Sequence, residues 1–428
     1  MRIIHLTPGS GDNFYCENCL RDYALVGALR AAGHDVLMVP LYLPLSAEGV
    51  EGPGDTPIFF SGINVYLQQK SALFRRLPRW MDGPLASPAL LRPLARRAGA
   101  TEARDLGDMT LSMLRGEEGR QVKELDRLVD FLRGQGRPDV IVISNALLAG
   151  LGRRLREALA APVVCWLQDE DGFLDGLPGP LSTEAWRTLA DRAADLAAFV
   201  ATSRYYADAM IGRLGLARER VAVVPAGIDP TGYSPPDSAP DPPAVGFLSR
   251  LSTGKGLDTL AEAFIELKRD PALKRLRLHL TGGKTAYDDH VLADVQGRLA
   301  AEGMASDMEH FVAFDRESRQ RFLRGLTALS VPTRQGEACG LYAVEALAAG
   351  VPLVLPRHGA FPEFIEDTGG GVLFEPNSPA ALAEAMRGLL LDPARRGELA
   401  ARGRRAVLSR YTAAESARRF VEICERIA

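Results

Sequence analysis

The stretch 331–374 constrains the fold most, because a buried strand, a polar loop and a helix follow one another there. The apolar run 326–331 predicts the strand, and the loop after it carries Glu337. The helix begins at Gly340 and carries Glu345. The first backbone N–H groups of a helix have no intrahelical partners, and the helix dipole adds partial positive charge at that end. The stretch therefore predicts a helix start at which an anion such as phosphate binds.

Two acids flank this helix start, and they stand eight positions apart in the chain. We expect Glu337 and Glu345 to face one crevice, because one precedes the helix and the other lies just over one turn inside it. Gly340 lets the backbone approach an anion closely, and a carboxylate in the following turn can accept two ribose hydroxyls. An ordinary strand–helix–strand unit with two surface glutamates is the alternative interpretation.

The residues of this stretch carry a family motif. The matching positions are Pro332, Thr333, Glu337, Gly340, Leu341, Glu345, Ala346, Gly350 and Pro352. They resemble the E-x7-E signature of family 4 retaining glycosyltransferases (glycosyl transferases group 1), with Ala338 and Cys339 in place of the usual Gly-Phe. The resemblance implies an α/β protein of the GT-B fold. In that fold, two doubly wound, Rossmann-like domains face each other across a cleft, and the last helix returns to the N-terminal domain.

A second motif follows the apolar run 244–248. Residues 249–256 resemble the family's G-R-L-x-x-x-K-G, with Arg250 and Lys255 as its cations. A diphosphate leaving group gains negative charge as its bond to the sugar breaks, and fixed cations stabilise that charge. Arg250 offers a planar fork and Lys255 a point charge. The resemblance implies that both stabilise the diphosphate without a metal ion, and a solvated turn with two surface bases is the alternative.

The resemblance also assigns roles to other residues of the C-terminal half. Glu337 would lie beside the donor sugar as a catalytic residue, and Glu345 would hold the ribose. The backbone around Gly340 would contact the phosphates or the sugar hydroxyls. The implied donor-binding positions are Gly256, Gly282, Val312, Cys339, Gly340, Leu341 and Glu345.

The N-terminal half begins with a strand over 2–7, a helix over 20–32 and a strand over 35–43. This order starts a doubly wound sheet, whose ligands lie beyond the carboxyl ends of the strands. The glycine-rich loop at the first such end corresponds to a family loop near the acceptor and the donor phosphates, although a plain tight turn fits it equally well. Its candidate residues are Gly9, Ser10 and Gly11.

Another predicted strand, 163–167, ends in Gln168 and Asp169, where the family commonly has His-Asp. A glutamine hydrogen-bonds a sugar hydroxyl, but it does not transfer a proton at neutral pH. The resemblance places both residues on the acceptor side. The run 169–171 (Asp-Glu-Asp) also imitates a metal-binding Asp-x-Asp motif, and acids that line the cleft are the favoured interpretation.

At 428 residues the chain suits two domains of about 200 residues each. A proline-rich run predicts the linker. An aperiodic insertion at about 44–119 most plausibly shapes the acceptor pocket. The predicted divisions are an N-terminal acceptor-binding domain at 1–229, the linker at 230–243, a nucleotide-sugar-binding domain at 244–405 and the returning helix at 406–428.

The bulk charge and the hydropathy bear on partners and on localisation. A net charge of −3 argues against a general nucleic-acid binder. Neither a signal sequence nor an apolar run long enough to span a membrane is evident, so we expect a cytoplasmic chain. The basic and apolar segment 75–104 leaves open a peripheral contact with the inner face of a membrane. A solvated helix pair is favoured, because prolines interrupt the segment.

Cys16 and Cys19 form a C-x-x-C at the start of the first helix, where the dipole lowers the pKa of a thiol. No second cysteine pair stands at zinc-like spacing, so two packed thiols are favoured over a metal or redox role. We therefore expect neither a metal nor a cofactor.

The sequence as a whole predicts a retaining glycosyltransferase. The enzyme would move a sugar from a nucleotide diphosphate donor to a hydroxyl of a glycan, lipid or small-molecule acceptor. A nucleotide-sugar epimerase on the same fold is one alternative. An inactive sugar-nucleotide-binding protein is the other, and Gln168 in the usual place of His is its support.

Overall fold

Two sheets of six parallel strands form the framework of the chain in a computed structural model. The structure describes residues 1–9, 15–42, 59–60, 68–69, 103–284 and 288–427. The candidates Ser10 and Gly11 lie outside the described residues. So does most of the predicted insertion, including the basic segment 75–104 up to the helix that begins at Ala103.

The N-terminal sheet has the strand order β2-β1-β3-β4-β5-β6. Helices cover both of its faces, so a strand such as Val140–Ile143 is apolar and buried throughout its length. The first helix begins at Glu17, earlier than the predicted 20. The strands are β1 (Arg2–Thr7), β2 (Asp35–Pro40), β3 (Val140–Ile143), β4 (Val163–Leu167), β5 (Ala198–Ala201) and β6 (Val221–Val223). The helices are α1 (Glu17–Ala31), α2 (Ala103–Leu114), α3 (Val122–Gly134), α4 (Gly152–Leu159), α5 (Glu170–Asp175), α6 (Gly179–Ala193) and α7 (Arg204–Leu214).

The C-terminal sheet repeats this architecture with the order β12-β11-β10-β7-β8-β9. Its strands are β7 (Ala244–Leu248), β8 (Arg277–Thr281), β9 (Met308–His310), β10 (Ala328–Leu329), β11 (Leu353–Pro356) and β12 (Gly371–Phe374). Its helices are α8 (Leu257–Lys268), α9 (Asp289–Ala301), α10 (Arg316–Arg324), α11 (Leu341–Ala348), α12 (Phe361–Thr368), α13 (Pro379–Leu390) and α14 (Pro393–Arg410). Because all strands of a sheet are parallel, the loops that carry the candidate residues leave the same edge of their sheet.

The chain crosses between the domains twice, and the two crossings are hydrogen-bonded to each other. The Ile228 N–H donates to the Tyr411 carbonyl at 3.0 Å, and the Ala413 N–H donates to the Ile228 carbonyl at 2.7 Å. The last helix, α15 (Ala413–Ile427), then packs on the N-terminal domain, where the Phe420 ring stacks on Trp166 with centroids 5.8 Å apart. The predicted return of the last helix is confirmed, and the returning helix begins at Ala413.

Among the residues that the structure describes, no helix combines the length and the apolar character needed to cross a membrane.

Candidate functional site

A cavity of about 560 Å³ lies between the loops at the strand ends of the two domains, and we call it the central cavity. Its lining includes Glu17, Gln168 and Asp169 from the N-terminal domain and Arg250, Lys255 and Glu337 from the C-terminal domain. The structure thus brings both predicted cations, one motif glutamate and both strand-end residues of β4 to one place.

Lys255 and Glu337 form an ion pair in the central cavity. Lys255 lies between β7 and α8, and its side chain is 23% exposed. Burial opposes the charge of its ammonium group. The carboxylates of Glu337, Glu17 and Asp169 outweigh burial and raise the pKa of Lys255 above its usual value. A permanent cation therefore stands at this end of the cavity.

Gly256 explains how Lys255 reaches Glu337. Its φ of 77° lies in the left-handed region, and a Cβ there would approach the Pro332 carbonyl oxygen to 1.9 Å. The loop after β7 therefore lies directly against the loop after β10. The second Glu337 oxygen accepts a hydrogen bond from the Tyr342 hydroxyl at 2.7 Å, which fixes the carboxylate beside Lys255.

The start of α11, predicted as an anion site, is bonded to a carboxylate of the other domain. The Leu341 N–H donates to Glu17 Oε2 at 2.5 Å, and Glu17 Oε1 lies 3.4 Å from Lys255 Nζ. Burial raises the pKa of Glu17, Lys255 opposes that rise, and Glu337 and Asp169 reinforce it, so that the value is about 8. The sequence analysis did not select Glu17.

Glu345 lines a second cavity, also of about 560 Å³, and is absent from the lining of the central one. Its carboxylate accepts hydrogen bonds from the Tyr15 hydroxyl at 2.6 Å, from Arg319 Nε at 2.9 Å and from the Tyr233 hydroxyl. Tyr15 also lines the central cavity. Glu337 and Glu345 thus line different cavities in this structure, with Tyr15 at the boundary between them, and the expectation that both face one donor crevice stays a prediction.

The acceptor-side candidates of β4 are held firmly. Gln168 is buried, and its Oε1 accepts a hydrogen bond from Arg21 Nη1 at 2.7 Å, which leaves the amide –NH₂ as its donor. Asp169 has a left-handed φ of 59°, and its Oδ1 accepts from the Ala338 N–H of the other domain at 2.7 Å. Burial raises the pKa of Asp169, and against the opposing Lys255 the carboxylate of Glu337 adds to the rise, giving about 7.

Arg21 is a second residue that the sequence analysis missed. Its guanidinium is buried, forms an ion pair with Asp22 at 2.7 Å and lies over the Trp166 ring at 4.6 Å. A charged pair within the first helix is an ordinary sequence feature. Only the fold shows that this pair lies behind Gln168 and orients it.

Of the remaining candidates, Arg250 lines the central cavity, and Gly9, Gly282, Val312 and Cys339 are not part of its lining. Arg250 lines it with a side chain that is 43% exposed and lies 3.7 Å from Asp288. The Gly282 carbonyl accepts from the Tyr15 N–H at 2.7 Å. Val312 is 75% exposed and does not line the central cavity. Cys339 lines a different cavity, and Gly9 lies two residues past the end of β1.

The thiols of Cys16 and Cys19 lie 3.2 Å apart as a hydrogen-bonded pair. The bond from Cys19 lowers the pKa of Cys16. Across the described part of the chain, no group of three or more His, Cys, Asp or Glu side chains is arranged to hold a metal ion.

Two family models match the chain. The model described as "Glycosyl transferase 4-like domain" covers residues 23–227, and the model "Glycosyl transferases group 1" covers residues 234–406. The chain belongs to the group 1 glycosyl transferases. This membership confirms the family resemblance that the two motifs predicted.

A curated relative of this family member is the D-inositol 3-phosphate glycosyltransferase of Xylanimonas cellulosilytica. It is 27% identical over 241 residues, which cover 53% of this chain and 56% of the relative. The chain thus spans about half the length of the curated relatives it matches.

Solved structures of similar fold cover the whole chain. Sucrose-phosphate synthase from Thermosynechococcus elongatus superposes with a TM-score of 0.70 at 18% identity, covering 100% of this chain and 99% of that one. Anabaena Alr3699/HepE in complex with UDP-glucose superposes with a TM-score of 0.67 at 16% identity, covering 100% of both chains. These similarities establish the GT-B fold of two facing Rossmann-like domains.

Proposed function

We propose that the protein transfers a sugar from a nucleotide diphosphate sugar to an acceptor hydroxyl, with retention at the anomeric carbon. The observation that carries the proposal is that Lys255, on the central cavity, and the backbone N–H at the start of α11 both contact the carboxyl group of Glu17. A permanent cation and the backbone N–H groups of a helix start are the groups that stabilise a departing diphosphate. Arg250, on the same cavity, adds a second cation.

Glu337 has the position of a group that acts on the donor sugar. Lys255 and the Tyr342 hydroxyl fix its two oxygens, so its negative charge is held at the cavity wall. A positive charge that develops near the anomeric carbon is stabilised there. In a front-face reaction the leaving phosphate accepts the acceptor proton, and no protein base is needed.

Gln168 and Asp169 are the residues that we propose to contact the acceptor. The Arg21 contact on Gln168 Oε1 leaves the amide –NH₂ to donate to an acceptor oxygen. The name of the Xylanimonas cellulosilytica relative makes D-inositol 3-phosphate the first acceptor to test, and the Anabaena Alr3699/HepE complex makes UDP-glucose the first donor.

The first experiment measures thermal stabilisation by UDP, GDP and ADP, followed by transfer assays with the sugar donor of the nucleotide that binds. A ligand at a hundred times its dissociation constant adds about 2.7 kcal/mol to the free energy of unfolding. Assays contain EDTA, because the proposal draws its cations from the protein. Incubation of the donor without acceptor distinguishes transfer from epimerisation.

Lys255→Ala tests the role of the cation. Removal of one preorganised charge is expected to lower the transfer rate by about a hundredfold or more. The matched control is Lys274→Ala, at an exposed lysine of the same domain that does not line the central cavity. Near wild-type turnover in Lys255→Ala would refute the proposed role.

A further inference from the structure

Glu17, the first residue of α1, and Tyr15, two residues before it, contact the C-terminal domain at the positions proposed for the sugar-nucleotide donor. The Tyr15 hydroxyl donates to Glu345 Oε2 at 2.6 Å, and Glu17 Oε2 accepts from the Leu341 N–H at 2.5 Å. The Tyr15 N–H also donates to the Gly282 carbonyl at 2.7 Å. With the ion pair of Glu17 and Lys255, this short segment of the N-terminal domain contacts the nucleotide half at four points.

Two of these contacts imitate a contact that a part of the sugar-nucleotide donor would make. A hydroxyl on a buried carboxylate is the contact that a ribose makes, and here the Tyr15 hydroxyl makes it with Glu345. A phosphate at a helix start beside a lysine accepts hydrogen bonds through its oxygens, and here the oxygens of Glu17 contact Leu341 and Lys255 in that way. A diphosphate and the Glu17 carboxylate cannot occupy these partners together.

We propose that Tyr15 and Glu17 are internal occupants of the donor site, which the ribose and the diphosphate of the donor displace. Glu17 is then a residue that sets donor affinity. This inference rests on the proposed function, because it takes the diphosphate site to be the one described above.

The electrostatic surroundings of Glu17 suit an occupant that is easily displaced. Among the described groups that interact with Glu17, Lys255 is a cation, and the others are the acidic or neutral groups of Glu337, Asp169, Tyr15, Cys16, Cys339 and Tyr342. With a pKa of about 8, Glu17 holds a proton near neutral pH while it is buried. After displacement into solvent its pKa returns to the ordinary range, and the proton is released.

Isothermal titration calorimetry of UDP, GDP and ADP binding to wild type, Glu17→Ala and Glu17→Gln tests the inference at pH 6.5. Glu17→Ala frees the Leu341 N–H and is expected to bind the preferred nucleotide about tenfold more tightly. Glu17→Gln keeps an oxygen on that N–H and is expected to bind no more tightly than wild type. Titrations in two buffers should show that wild type releases about one proton more than Glu17→Gln for each nucleotide bound.

Glu363→Ala is the matched control. Glu363 forms an ion pair with Arg204 at 3.1 Å, which also joins the two domains but lies outside the central cavity. Its affinity for the nucleotide should equal that of wild type. Equal tightening in Glu363→Ala and Glu17→Ala would assign the effect to a loosened domain contact and overturn the inference.

The other outcomes separate the two proposals. Unchanged or weaker binding by Glu17→Ala, when wild type binds, overturns the inference and leaves the proposed function intact. Tightening of Glu17→Gln to the level of Glu17→Ala would show that an oxygen on the Leu341 N–H does not limit nucleotide binding, and it would also overturn the inference. Failure of all variants to bind any of the three nucleotides overturns the proposed function, and the inference falls with it.

Discussion

The position of Lys255 depends on the absence of a side chain at the neighbouring Gly256. Gly256 combines a left-handed φ of 77° with a space in which a Cβ would meet the Pro332 carbonyl oxygen at 1.9 Å. That oxygen belongs to the loop that carries Glu337. The close approach of the two loops, and with it the ion pair of Lys255 and Glu337, therefore requires a residue without a side chain.

Gly256→Ala should separate the two loops. The clash involves backbone, which cannot turn away, so we expect a loss of about 2 kcal/mol or more in the free energy of unfolding and a transfer rate at least about tenfold lower. Urea denaturation and a transfer assay measure the two effects. Gly254→Ala is the stability control, because a Cβ there has its nearest neighbour at 4.0 Å. Equal stability of both variants would contradict the argument.

At the scale of secondary-structure elements, the sequence predicted the features that depend on local residue patterns. The buried parallel strands are apolar runs, and the motif of residues 249–256 lies in a loop at the strand ends, as predicted. The contacts of Glu17 and Tyr15 were not predictable, because 324 residues separate Glu17 from Leu341 and 330 separate Tyr15 from Glu345. Neither residue belongs to a periodic pattern or a motif whose spacing indicates its partner.

The separation of the two motif glutamates into different cavities has the same origin. The spacing between Glu337 and Glu345 describes one helix and the loop before it, and it contains no information on a side chain that arrives from another domain. Tyr15 is that side chain. Orientation of Gln168 by Arg21 is a further long-range contact, across 147 residues, that a strand-end pattern does not show.

The paired crossings between the domains can be tested at Gly227. A Cβ at this position would lie 2.2 Å from the Thr412 carbonyl oxygen, so Gly227→Ala should push the two crossings apart. We expect a loss of about 1–3 kcal/mol in the free energy of unfolding, together with a lower turnover number as the domains lose their mutual orientation. Gly212→Ala, with nothing within 4 Å of its Cβ, should leave both unchanged or raise stability slightly. A stability of Gly227→Ala equal to that of wild type would contradict the steric argument.

For the whole molecule, the acids of the central cavity and Asp22 behind it give the free energy of unfolding opposite dependences on pH. Burial raises the pKa of Glu17 to about 8 and that of Asp169 to about 7. Against the cost of burial, Arg21 and His5 hold the pKa of Asp22 below its usual value. A raised carboxyl pKa means that the folded state binds protons which the unfolded state has lost, so it lowers stability as pH rises. A lowered pKa contributes stability that is lost as pH falls through the acid range.

The pH dependence of unfolding therefore distinguishes the carboxylate of Glu17 from its isostere. Between the ordinary glutamate pKa of about 4.5 and the folded value of about 8, the wild-type free energy of unfolding should fall as pH rises. Glu17→Gln has no proton to lose at this position, so it should exceed wild type in stability at pH 8, by on the order of 2 kcal/mol, and the difference should shrink towards pH 5. Below pH 4 the free energy of unfolding should fall by the same amount in both proteins, because each loses the stabilisation from Asp22. Urea denaturation at pH 5, 6.5 and 8 measures the difference, and a value that does not change with pH would show that the folded protein does not hold a proton on Glu17.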